Sequence, residues 1–421
     1  MNTYRLFLSL SIAALMVGCS VNPVTGKQEL SLVSAGQEVA IGQQQYGPAQ
    51  QSQGGTYYID PNVSGYVRGI GNKLAAVSDR ALPYEFVVLN NPTPNAWALP
   101  GGKIAVNTGL LVHLEDESQL AAVLAHEIVH AAARHSAAQM TRGSLIGLGA
   151  QVLNSASARG GYGDMGSALQ MGAGAWMAKY GRGAELESDA FGMEYMAKAG
   201  YDPYGAVRLQ ETFVRLSQGR QADIISGLFA SHPPSQARVN ANKTKLASLP
   251  QGGIVGRDRY RRAVRQILHD APAYKAQADA IKALNAKDHR TALSHLDRAL
   301  KIQPREGQFW ELRGHAWKMA RNMSNAEKAF SSAINNNPNY VAHHLARGVL
   351  RYEQKQYQGA QNDLLRSRQL LPTPIASFYL GEIALAGGQK QQAAGYYQEA
   401  AQAGGEVGAA AKERLAALSG K

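Results

Sequence analysis

A chain of 421 residues, 45% hydrophobic and 18% charged, holds enough apolar material for two or three domains, which excludes a small stapled scaffold and a globally disordered polymer. The formal charge of +12 fits nucleic acid, an anionic membrane surface or acidic peptides equally, so charge alone selects no function. The one dense basic patch, Arg257, Arg259, Arg261, Arg262 and Arg265, reads as a solvated helix face.

At the start, Arg5 precedes the apolar run LFLSLSIAALMV, the small residue Gly18 and then Cys19, the single cysteine of the chain. That order is an export signal, so residues 1–18 are set aside from the fold. The run is too short for a dependable membrane span, and no later segment reaches bilayer length. LMVGC resembles a bacterial lipobox, although Met16 stands where leucine is commoner, and the resemblance implies a lipidated Cys19 as the mature N-terminus. The alternative is a plain secretory signal cleaved nearby. By resemblance to sorting rules, Ser20 favours the outer membrane over the inner. Export argues against nucleic acid and makes a membrane surface or another envelope protein the natural object of the positive charge.

Turn residues in NPVTGKQELSLVS lead to a helix beginning near Ser34, an N-cap with Gln37 three residues on. YEFVVLN and GKIAVNTG read as short strands bounded by the Pro and Asn cluster of NNPTPNAWALPGG. From Ser118 onward helical patterns dominate. The tract Ser155 to Ser167, rich in glycine and serine, reads as a flexible tip between two helices, either a lid over a cleft or a tolerated insertion.

The stretch AAVLAHEIVHAAARH carries the chemistry. Positions four apart lie on one helix face, so His126 and His130 can offer two imidazole nitrogens to one zinc ion. Glu127 lies beside them as a general base for water, the H-E-x-x-H arrangement of zinc peptidases. Leu120, Val123, Leu124, Ile128 and Val129 make the helix a core element, where these polar groups are costly without a metal to satisfy them. In RGAELESDAFG, Glu185 is the candidate third ligand, and Asp189, four residues on, is placed to orient a ligating histidine. No oxyanion donor stands out, Tyr180 and Arg182 being near the ligand helix without an assigned role.

SLPQGGIVG, Ser248 to Gly256, has turn residues and no helical period, and serves as the domain boundary. Beyond it Pro304, Pro338 and Pro372 fall 34 apart, as do Ala292, Ala326, Ala360 and Ala394, with Ala280, Gly314 and Gly348 on the same ruler. Small residues where two helices touch and a proline closing the second resemble the tetratricopeptide repeat. Three or four units fit, Glu406 standing where the last proline would be. Stacked helix pairs present a concave surface suited to a protein or peptide.

With these motifs in order, the chain resembles the H-E-x-x-H gluzincin peptidases of the HtpX and BepA type, in the periplasmic BepA-like branch with C-terminal repeats. NPVTGKQELSLVS, NAWALPGGKIAVNTGLL, HEIVHAAARHS, RGAELESDAFGMEYM and SHPPSQAR carry the resemblance across nearly the whole mature chain. It implies one Zn2+ per chain held by His126, His130 and Glu185, with Glu127 as base and GGKIAVNTG as the edge strand that pairs with an extended substrate. His135 is read as structural. The matching histidine of such proteins can approach the metal and hold the enzyme inactive, so His232 is either a regulatory metal contact or a loop histidine fixed by the prolines after it.

The expected fold class is mainly α: an α+β catalytic domain with a small sheet at 19–250, a linker helix at 251–272 and an all-α solenoid at 273–421. The expected activity is zinc-dependent endopeptidase action in the bacterial cell envelope on misfolded or misassembled outer-membrane and periplasmic proteins. The repeats then bind substrate or the outer-membrane assembly machinery, and the location is the periplasm of a Gram-negative bacterium, on a lipid anchor. The competing expectation is a chaperone or assembly scaffold whose zinc site is shut or structural.

Overall fold

The computed structural model describes residues 19–143, 180–218 and 231–420. The expected export signal 1–18, the Cys19 side chain and the glycine- and serine-rich tract 155–167 lie outside the described residues. The fold is mainly α with two small sheets, and among the described residues no helix is long and apolar enough to cross a membrane. The chain divides into two compact units, residues 1–49 with 60–265, and residues 50–59 with 266–421.

In the first unit, β1 (Cys19–Val21) pairs antiparallel with β2 (Gln28–Leu30) around a turn built on Asn22. The Asn22 Oδ1 accepts from the N–H groups of Val24 and Thr25 at 3.0 and 3.2 Å, an Asx turn closed by Gly26 at φ 71°. Helix α1 (Ala35–Ser52) opens on the expected capping box: Ser34 N donates to Gln37 Oε1 at 2.8 Å, and Gln37 N to Ser34 Oγ at 3.3 Å. Helix α2 (Pro61–Ala75) starts behind Asp60, whose carboxylate accepts from Asn62 N.

The three-stranded sheet has the order β3 (Glu85–Leu89), β5 (Lys103–Asn107), β4 (Ala96–Leu99), with β3 parallel and β4 antiparallel to β5. This corrects two expectations. GGKIAVNTG forms the central strand, and the edges are β3 and β4. The AWAL of the supposed Pro and Asn turn cluster is itself strand β4, which returns on β5 through Gly101 and Gly102 at φ 75° and 83°. All five residues of β5 are buried, as a strand covered on both sides requires, whereas β3 alternates partly outward.

Helix α3 (Glu117–Ala132) buries all its residues and is capped by Asp116, whose carboxylate accepts from Gln119 N at 3.1 Å. Buried Glu117 is satisfied by Tyr66 Oη at 2.8 Å and by the Arg259 guanidinium. Arg259 is thus ion-paired while remaining exposed, and Arg257, Arg261, Arg262 and Arg265 are exposed as well. Helices α4 (Arg182–Lys198), α5 (Tyr204–Gln218) and α6 (Gln236–Leu246) belong to the same helical layer. Gly192 sets the crossing of α4 on α3, since a Cβ there would meet the His126 backbone nitrogen at 3.3 Å. The stretch 248–256 is pinned, not free: Ile254 bridges to Tyr201, and its N–H donates to Gly200 O at 2.9 Å.

The second unit is a run of helix pairs: α7 (Arg265–Asn285) and α8 (His289–Ile302), α9 (Gly307–Met319) and α10 (Met323–Asn336), α11 (Val341–Glu353) and α12 (Tyr357–Leu370), α13 (Pro374–Ala386) and α14 (Lys390–Ala400), closed by α15 (Gly405–Leu418). Gly314 and Gly348 sit where each pair touches, and a Cβ would fall 2.4 Å from the Phe330 ring and 2.9 Å from Leu364. The 34-residue ruler holds through Ala292, Ala326 and Ala360, all fully buried, and then slips by one: the fourth buried alanine is Ala393, not Ala394, and the matching glycine is Gly381 against Tyr397. The cause is the connection 371–373, one residue shorter than 303–306 and 337–340. Residues 50–59 lie along this unit. The Tyr58 hydroxyl accepts from Gly307 N at 2.7 Å and donates to Arg305 O at 2.9 Å, and Gln51 Oε1 accepts from Val341 N at 2.9 Å, one repeat further on.

Candidate metal centre

Helix α3 puts His126 and His130 one turn apart, their rings 4.7 Å between centroids. The first turn of α4 brings in Glu185, and the segment before α6 brings in His232. Each of these four buried side chains offers a ligand atom within 4.8 Å of the others. His130 Nε2 is 3.0 Å from His126 Nε2, Glu185 Oε1 stands 3.4 Å from His130 Nε2 and Glu185 Oε2 3.5 Å from His126 Nε2, and His232 Nδ1 is 3.0 Å from Glu185 Oε1 and 3.3 Å from His126 Nε2. Three imidazoles and a carboxylate converging on one point, away from solvent, are a donor set for a borderline-soft divalent cation, and the residues present fit one.

A second layer holds the candidate ligands. His126 Nδ1 meets Asp189 Oδ1 at 2.9 Å. Arg238 donates to both Asp189 oxygens at 2.7 Å, to Glu185 Oε2 at 2.9 Å and to Pro233 O at 3.3 Å, so one guanidinium ties the ligand helix to the His232 loop. On the other flank His130 Nδ1 lies 2.9 Å from His135 Nδ1, and Tyr180 stacks on His130 at 3.9 Å with its hydroxyl engaged by Ser136 Oγ at 2.9 Å. Tyr180 is thus a packing partner of a candidate ligand, and Arg182 is exposed at the start of α4.

Glu127 is buried beside this cluster. Its Oε1 is 3.5 Å from His232 Nε2, and its Oε2 has no hydrogen-bond partner among the described residues. Burial pushes the Glu127 carboxyl above its usual range, against the pull of His232 and His126. For His126 burial works toward a lower pKa, but hydrogen bonds to Asp189 and Glu185 outweigh it and raise it to about 10. Burial lowers His130 well below its ordinary value. In Glu185 the burial penalty is overcome by hydrogen bonds from His126, His130 and His232, and in Asp189 by Arg238, so both are held below the carboxylate range. A cavity opens beside Glu127 and His126 with apolar walls of Val123, Met193, Met196, Leu209 and Phe213. Gln210 joins that wall with its side-chain oxygen buried and without a partner among the described residues.

The structure therefore brings together His126, Glu127, His130, Glu185, Asp189 and His232, the residues singled out from sequence. The role of Arg238 was not assigned from sequence, although it lies in SHPPSQAR, and neither was that of Glu187. An arginine following a histidine at this spacing announces nothing until the fold places it between two carboxylates.

A family model described as peptidase family M48 matches residues 61–245, and one for the tetratricopeptide repeat matches 278–341 and 345–407. The chain is 28% identical to the beta-barrel assembly-enhancing protease of Yersinia pestis over 236 residues, 53% of this chain and 48% of the relative. It is 25% identical over 382 residues to the protein of that name in Escherichia coli, covering 86% of this chain and 74% of the relative. It is also 32% identical over 184 residues to the Escherichia coli metalloprotease YcaL, covering 43% of this chain and 67% of the relative. The chain spans less than half the length of the first curated relatives it matches, 40% and 48%.

Proposed function

The chain belongs to peptidase family M48, and from that premise we propose that it is a zinc-dependent metalloendopeptidase of the bacterial cell envelope that cleaves misfolded or misassembled outer-membrane or periplasmic proteins. The observation that carries this reading is the set of four buried donors, His126, His130, Glu185 and His232, with the Glu127 carboxylate beside it.

His126, His130 and Glu185 would hold the ion. When bound, zinc supplies Lewis acidity, which acidifies water and polarises a peptide carbonyl. Glu127 takes a proton from the attacking water and passes it to the amine of the departing product. Asp189 holds His126 in one orientation through Nδ1. An extended substrate would pair with edge strand β4, whose Ala96 borders the same cavity as Glu127, and would place an apolar side chain against Val123, Met193 and Leu209.

His232 is read as a removable fourth ligand. Its Nδ1 lies among the ligand atoms and its Nε2 faces the base, so it stands where water and substrate would have to enter. The same closed arrangement favours a second reading, a scaffold with a shut zinc site whose repeats bind envelope proteins. Lipidation of Cys19, a periplasmic location on the outer membrane and capture of substrates or of the assembly machinery by the repeats complete the proposal. Cleavage of casein by the zinc-loaded chain separates the readings. The enzyme reading expects activity that Glu127→Gln abolishes and His232→Ala raises; zinc-loaded wild type and His232→Ala both inert would leave the scaffold.

A further inference from the structure

The two histidines of α3 are held by different means. His126 meets a carboxylate directly, whereas His130 meets another imidazole, and the chain of contacts does not end there. His135 Nε2 is 3.2 Å from Glu187 Oε1, and Asn22 Nδ2 donates to that same oxygen at 3.1 Å across 165 residues of sequence. Asn22 is 1% exposed, and its side chain is used at both ends, the oxygen closing its own turn and the amide nitrogen reaching Glu187 and Glu29. Ser188 Oγ adds a contact to His135 Nδ1 at 3.5 Å.

The hydrogen-bond polarity of this chain is consistent from end to end. A ligating His130 gives its Nε2 lone pair to the ion and so carries its proton on Nδ1. That proton is donated to His135 Nδ1, which places the His135 proton on Nε2, where Glu187 accepts it. A carboxylate that orients a metal-binding histidine is common; here one more imidazole is interposed, and the carboxylate is itself held by the N-terminal turn.

We propose that Asn22, Glu187 and His135 are positioning residues for the metal centre, so that the turn following β1 helps to set the orientation of His130 and with it the affinity for the ion. This rests on the reading that His126, His130 and Glu185 hold zinc. It gives the NPVTG stretch a role in the site: asparagine is required at position 22 because it both accepts from its own turn and donates to a carboxylate. Aspartate would keep the turn and set a like charge against Glu187 and Glu29.

The test is zinc affinity of the full chain, measured by competition with a chromogenic chelator, with circular dichroism confirming that each variant is folded. His135→Ala and Glu187→Ala should bind zinc about 10–100-fold more weakly, and Glu187→Gln, which still accepts from His135, should recover most of that loss. Asn22→Asp should weaken zinc although its turn survives, and combined with His135→Ala it should add nothing beyond His135→Ala alone. Affinities within about twofold of wild type for folded His135→Ala and Glu187→Ala would overturn the proposal, as would fully additive effects of Asn22→Asp and His135→Ala. A folded wild-type chain that takes up no zinc would instead overturn the metal reading, and this inference with it.

Discussion

Both units bury apolar cores, but they differ in what their most telling helix contacts are made of. Helices α3 and α4 bury His126, Glu127, His130, Glu185 and Asp189 with Arg238 closing over them, whereas the repeats close on Gly314, Gly348 and Gly381 against Phe330, Leu364 and Tyr397. The reach of the contacts differs as well. Asp189 is joined to Arg238 across 49 residues and Glu187 to Asn22 across 165, while the ion pairs of the repeats, such as Arg347 with Asp363 and Arg351 with Glu327, span 16 and 24. A small residue under an aromatic ring stabilises by itself; a buried carboxylate does so only in the company of its partners. The first unit is thus organised around a site assembled from distant segments, and the second around packing within and between successive helix pairs.

That contrast is sharpened most by removing the base. Glu127→Gln should lower cleavage of casein by roughly 10²–10⁴-fold while zinc content and the melting of the repeats stay unchanged. Arg238→Ala strands two buried carboxylates, Asp189 and Glu185, and should destabilise the metal-free first unit by about 3–5 kcal/mol in denaturant titrations, with added zinc recovering part of the loss. Its counterpart in the repeats, Arg347→Ala, should cost roughly 1 kcal/mol or less, because Asp363 keeps Arg351. Equal losses at the two arginines would break the comparison.

Gly314→Ala should cost about 1–3 kcal/mol through overpacking, since the new Cβ lies 2.4 Å from the Phe330 ring, and should leave zinc affinity untouched. A smaller effect is set by pH. In the metal-free chain His126 stays protonated up to about pH 10, so zinc uptake must displace that proton. Affinity should therefore rise about tenfold per pH unit between roughly pH 6 and 8, a slope that Asp189→Asn, which weakens the hold on the imidazolium, should flatten.

Much of this was legible in the sequence for physical reasons. That His126, Glu127 and His130 lie together follows from their spacing on one helix, while Glu185 and Asp189 were singled out by a four-residue spacing on a second helix taken together with the first motif and the family resemblance. The repeats were visible because their contacts recur at a fixed period; Ala394 for Ala393 came from one residue missing in a connection that a ruler cannot see, and Glu406, read at the last proline position, lies inside the closing helix α15. Strand β4 was hidden because AWAL is short and sits inside a Pro- and Asn-rich stretch that reads as a turn, and with it went the identity of the sheet edge. Arg238, Glu187 and the function of Asn22 were illegible for a different reason. Their meaning lies in partners 49 to 165 residues away, which no local pattern specifies.

The most direct test of the centre is zinc K-edge X-ray absorption on the loaded full chain. The arrangement of His126, His130, Glu185 and His232 predicts one zinc per chain with a nitrogen and oxygen shell of three imidazoles and a carboxylate, free of sulfur, and loss of one imidazole in His232→Ala. A folded chain that takes up no zinc would contradict it, and so would a shell unaltered by His232→Ala or lost only with residues outside these four.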